Sequence, residues 1–303
     1  DGAPQPGTEE ILTTLEYVLR IDPDNPGANH LYIHAIEASP NPERANAAAE
    51  RLRLMVPASG HLIHMPSHID VLAGRWELAS KQNERAIKAD RKYRRISPDQ
   101  GFYRGYMPPN DHMLSFASMM EGRSEAAIRA ATELVEAIPE DFARKEPALA
   151  DAFMGARYDA LKRFGKWDAL LAEPAPPSYL PITTAMWRFH RGLAYAAQGQ
   201  VQDARQEQAA FEEAAEQVPE DAILSINPAR SILQIARHML NGEIAFAEGN
   251  IDEAVADLQQ GVKVERELMY MEPPEWIQPV RHTLGAVLLD GGRYEEAEAV
   301  YQD

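Results

Sequence analysis

The 303-residue chain contains no cysteine, which removes disulfides, thiolate metal ligands and a cysteine nucleophile and leaves His, Asp and Glu as its strong ligands. It has no run of eighteen apolar residues, so no stretch is expected to span a membrane. Basic residues are scarce, 30 against 47 acidic ones, and the net charge of −17 repels phosphate backbones. Nucleic acid is therefore not an expected partner. No HExxH, GxSxG or GK[ST] pattern occurs, so zinc-protease, serine-hydrolase and nucleotide-binding readings lose their usual support. What remains, 45% hydrophobic and 25% charged, is a globular composition whose length fits two domains or one solenoid.

Histidine is what the chain has in concentrated form. Three of its nine histidines fall within GHLIHMPSHIDVLA, residues 60–73, and NHLYIHAIEAS, residues 29–39, echoes that stretch. His64 and His68 are four apart, as are His30 and His34, a spacing that stacks two side chains on one helix face. His61 and Glu37 extend these rows by about a turn. The two segments are offset by 34 residues, the period of a two-helix repeat. Pro66 removes one helix hydrogen bond between His64 and His68 and predicts a kink there.

Helical spacing and turn residues divide the rest. Thr8 reads as the N-cap of a first helix stopped by Pro23, and Glu9 and Glu10 suit its first turn. A second helix is expected from Pro26 to Ala38, a turn at Ser39–Pro42, and a third helix through Ala45, Ala49, Leu52 and Met55 to Pro57. Thereafter a turn glycine is followed five residues later by Ala or Leu: Gly74 and Ala79, Gly122 and Ala127, Gly165 and Leu170, Gly199 and Ala204, Gly249 and Ala254, Gly292 and Ala297. Glycine can end a helix in a left-handed conformation, and a small residue lets two helices close.

These residues resemble the tetratricopeptide repeat, with Gly192, Tyr195, Gly199 and Ala204 matching its motif closely and Gly285, Gly292, Tyr294 and Ala297 well. The resemblance implies an all-α fold, a right-handed solenoid of stacked antiparallel helix pairs. HLYIHAIEAS and GHLIHMPSHI further resemble bacterial members of that kind with no established reaction, which implies the bacterial cytoplasm or periplasm. Residues 1–303 then form a single repeat domain. The start, DGAPQPG, and the end, YEEAEAVYQD, both read as cut. The 91–109 insertion carries a basic cluster with Tyr93, Phe102, Tyr103 and Tyr106, and reads either as a connector packed on the solenoid or as a lid over the groove.

Counted back from its turn residue, each of His30, His64, His112 and His282 lies at ten, and His34 and His68 at six. In the tetratricopeptide family such places face the concave groove, where ligands bind. His30, His34, His64 and His68 are thus expected to ligate a divalent transition metal, Zn, Cu or Fe. His112 is the candidate fifth ligand or acid–base group, and Glu37 the candidate ligand or general base, should the site be catalytic. The alternative is a scaffold whose groove binds a peptide or partner protein without chemistry, helped by Tyr32. A third reading is a groove that charges as pH falls toward about 6. His190 and His238 lie off the register and read as hydrogen-bonded structural residues.

Overall fold

A computed structural model describes residues 3–99 and 101–303; Asp1, Gly2 and Gln100, the last inside the 91–109 insertion, lie outside it. The chain divides into two compact units, Asp1–Ala137 and Ile138–Asp303. The fold is all-α, built from helices packed in adjacent pairs, with, among the described residues, one two-residue antiparallel pairing of β1 (Ile223–Leu224) and β2 (Asn227–Pro228).

The first unit comprises α1 (Thr8–Ile21), α2 (Pro26–Glu37), a 3-10 turn (Pro42–Ala45), α3 (Asn46–Leu52), α4 (Gly60–His64), α5 (Pro66–Leu72), α6 (Trp76–Ile96), a 3-10 turn (Gly101–Tyr106), α7 (Pro108–Glu121) and α8 (Ser124–Glu136). Ile33, Ile36, Ala49, Leu52, Met65 and Ile69 form its buried centre. The second unit comprises α9 (Glu140–Lys145), α10 (Pro147–Met154), α11 (Ala156–Arg163), α12 (Trp167–Leu171), α13 (Pro181–Ala197), α14 (Val201–Glu216), the β pairing, α15 (Ala229–Ala247), α16 (Ile251–Glu265), α17 (Val280–Asp290) and α18 (Tyr294–Gln302). Its core gathers Phe189, Phe211, Leu240 and Leu258.

The turn glycines do what their spacing predicts. Gly74, Gly122, Gly165, Gly199, Gly249 and Gly292 have φ of 67, 76, 60, 72, 83 and 71°, the left-handed region. In each case the next residue donates its N–H to the carbonyl five residues earlier, as from Arg75 to Asp70 (2.8 Å), Gln200 to Tyr195 (2.9 Å) and Asn250 to Ala245 (2.8 Å). This six-to-one bond closes the helix end and turns the chain into its partner helix. Ala79, Ala127, Leu170, Ala204, Ala254 and Ala297, five residues on, are all 0% exposed, because they sit where the two helices touch.

Three local expectations are corrected. Thr8 is the first residue of α1 rather than its cap: Gly7 holds the cap position at φ 93°, and the Thr8 hydroxyl accepts the Gln5 N–H at 3.0 Å. The helix expected through Ala45 to Pro57 is shorter, since Pro42 starts a 3-10 turn and α3 runs only from Asn46 to Leu52. Arg91–Ile96 are the last turns of α6 rather than insertion, leaving the 3-10 turn at Gly101–Tyr106 as its distinct part.

Candidate metal centre

All six residues of the histidine rows belong to the first unit, and local signals fix the helices that carry them. Asn25 caps α2 by accepting the Ala28 N–H at 2.9 Å, with Pro26 pre-set for the first helical position, so His30 and His34 lie one turn apart. Ser59 caps α4 in the same way, its hydroxyl accepting from Leu62. At Pro66 the helix breaks as predicted, because proline has no N–H for the carbonyl behind it. The His68 N–H turns to the Met65 carbonyl (3.2 Å), and the Ser67 hydroxyl donates to the His64 carbonyl that is left over (2.6 Å). His64 and His68 nevertheless remain edge to face, their ring centres 4.8 Å apart.

The rows meet. The His34 and His68 rings stand 5.5 Å apart, as a shared register predicts, but His30 faces His61 rather than His64, with Nε2 to Nε2 at 3.1 Å. His61 therefore enters the cluster as a residue that register counting passed over. A ring nitrogen from each of His30, His34 and His61 lies within 4.8 Å of the other two, and His34, Glu37 and His68 form a second such set. His112, on α7, is in neither set. Tyr32 does not serve the groove: it is buried, and its hydroxyl donates to Glu16 at 3.0 Å.

Glu37 ties the sets together. Its Oε1 accepts from His34 Nδ1 at 3.0 Å, and its Oε2 lies 2.8 Å from His68 Nδ1. Burial by itself raises this carboxyl, but the adjoining His68 and the hydrogen bonds from His34 and His68 hold it down at about 2, so it is ionised. Burial, then the neighbouring imidazoles, lower His30 and His61 to about 4, and push His64 well below the ordinary histidine value. Those three rings are neutral at pH 7 and offer lone pairs, as metal ligands must.

The insertion closes one side. The Tyr103 hydroxyl accepts the His61 backbone N–H (3.3 Å) and donates to Asp90 (3.2 Å), and the Tyr106 ring centre is 4.7 Å from that of His61. These contacts pack the insertion against the His61 edge of the cluster. Elsewhere, His190 is buried between the Met186 carbonyl (2.8 Å) and Asp159 (3.2 Å), and His238 contacts Asp257 at 3.1 Å, so both are structural as expected.

No protein-family model matches the chain, and no curated protein matches it. Among solved structures, that of Naa15/Naa10 bound to HypK-THB aligns at 12% identity with a TM-score of 0.25, over 97% of this chain and 65% of that one. The chain thus spans less than two thirds of that protein's length.

Proposed function

We propose that this is a helical-repeat protein that binds a divalent transition metal through His30, His34 and His61, with Glu37 as the carboxylate that orients His34. The convergence of one nitrogen from each of these three rings, all within 4.8 Å of one another, carries the reading. Three imidazoles leave a fourth position for water or a substrate oxygen, the arrangement of a site that polarises or exchanges a ligand rather than one that only braces a fold. Imidazole without sulfur favours Zn or Cu over Ca or Mg. Both Glu37 oxygens lie against histidines, so in this reading it orients those rings rather than acting as a general base. His112 has no part in this reading.

Elemental analysis of protein purified without an affinity tag, beside a His30→Ala/His61→Ala variant, tests it. About one ion per chain is expected to disappear in the variant. Equal metal content in the two proteins removes the idea.

A second reading, a scaffold for a peptide or partner protein, draws on an open groove beside His34 lined by Ile11, Leu15, Leu31 and Ala35, of which Ile11 and Leu31 are 55% and 53% exposed. Binding through this groove is expected to survive chelator and to be lost on Leu31→Glu. A partner that chelator releases counts against it.

A further inference from the structure

His64 enters neither set of three, yet it is the most buried ring of the cluster, at 3% exposure. Its Nδ1 is 2.7 Å from Asn83 Oδ1, and the Asn83 amide is oriented because its Nδ2 donates to the Ala79 carbonyl at 2.8 Å. An amide oxygen only accepts, so the His64 proton is on Nδ1 and Nε2 carries a lone pair. His68 Nδ1 lies 2.8 Å from Glu37 Oε2, an ion-pair contact that turns its Nε2 toward His64. These two Nε2 atoms face each other at 2.8 Å. Ring nitrogens at that distance hold either a proton or a metal ion between them.

We propose that the His64–His68 pair holds a second divalent transition-metal ion, next to the ion on His30, His34 and His61, with Glu37 touching one ligand ring of each, His34 and His68. This rests on the metal-binding reading above and adds the count and the place of a second ion. Nitrogens on one tetrahedral ion stand about 3.3 Å apart, so the pair opens by about half an ångström on loading. The break at Met65 between α4 and α5 lets each ring move with its own short helix. Water or substrate fills the remaining positions, and two adjacent ions suit the binding of one oxygen-bearing ligand between them.

The test is titration of untagged, chelator-stripped full chain with Co(II), followed by visible absorption and elemental analysis. Two equivalents are expected, in two spectroscopically distinct steps. His64→Ala/His68→Ala is expected to keep one equivalent, His30→Ala/His61→Ala to keep the other, and Asn83→Ala to weaken one step about 10- to 100-fold while leaving the other unchanged. Should the double variant at 64 and 68 fail to fold, judged by circular dichroism, the wild-type titration and Asn83→Ala still decide. A single equivalent that survives His64→Ala/His68→Ala overturns the second ion and leaves the three-histidine site standing. A single equivalent that is lost in that variant but kept in His30→Ala/His61→Ala overturns the three-histidine site and the count of two. No bound cobalt overturns both.

Discussion

Two residues beside the histidines show how little freedom their surroundings have. Asp70 is fully buried and accepts three hydrogen bonds, from both terminal nitrogens of Arg53 (2.9 and 3.0 Å) and from Arg75 Nε (2.9 Å). Removing the carboxylate leaves Arg53, itself only 8% exposed, with the exposed Glu50 (3.2 Å) as its one remaining carboxylate partner. Asp70→Ala is therefore expected to cost about 2–4 kcal/mol in denaturant unfolding, and a loss under 1 kcal/mol would show that the network is dispensable. Gly60 is the second case. A Cβ there would lie 2.2 Å from Asp90 Oδ1, and Asp90 cannot turn aside because Asn110 Nδ2 (2.6 Å) and Tyr103 hold it. Gly60→Ala is expected to cost about 1–3 kcal/mol by overpacking and to weaken metal binding, since it displaces the first residue of α4. Isothermal titration of metal into the variant reads this directly.

Among the elements, the helix-ending glycines were the most legible feature, because a left-handed turn needs glycine and the closing alanine sits at a fixed distance from it. Gly199→Ala places a Cβ at φ 72° and is expected to destabilise by about 1–2 kcal/mol, read as a lowered melting temperature. The same change at Gly249 should add to it, the two turns being independent. The histidine rows were legible for a similar reason, as spacing of four dictates a shared face. His61 was legible as an extension of its row, but not as the partner of His30, because counting back from the turn residues pairs His30 with His64 and only packing shows the 3.1 Å approach of His61. Asn83 carried no signal at all: it lies on α6, and only packing shows that its amide faces His64. Thr8 misled because a good capping residue still yields the cap to Gly7 when its hydroxyl is taken up by the Gln5 N–H.

At the scale of the whole molecule, the acidic balance has a titratable consequence in the second unit. Burial pushes Glu243 and Glu275 up to about 7, against weaker opposing effects of Lys162 and Ser225 respectively. Between the ordinary carboxyl value and 7 the folded chain holds protons that the unfolded chain has released, so stability falls as pH rises through that window. Thermal unfolding from pH 5 to pH 8 is expected to show this decline, and Glu243→Gln to flatten it; an unchanged slope would count against the buried carboxyl as its source. The fastening of Tyr103 bears on the molecule as a whole in another way. Its hydroxyl ties the insertion both to the start of α4 and to α6, so that flank cannot swing open without loosening the helix that carries His61. The cluster is open at His34, whose side chain is 39% exposed beside Ile11 and Leu31. On the proposed metal-binding reading, a ligand that comes in there crosses a greasy threshold before it reaches nitrogen, which favours a nonpolar flank behind a ligating head.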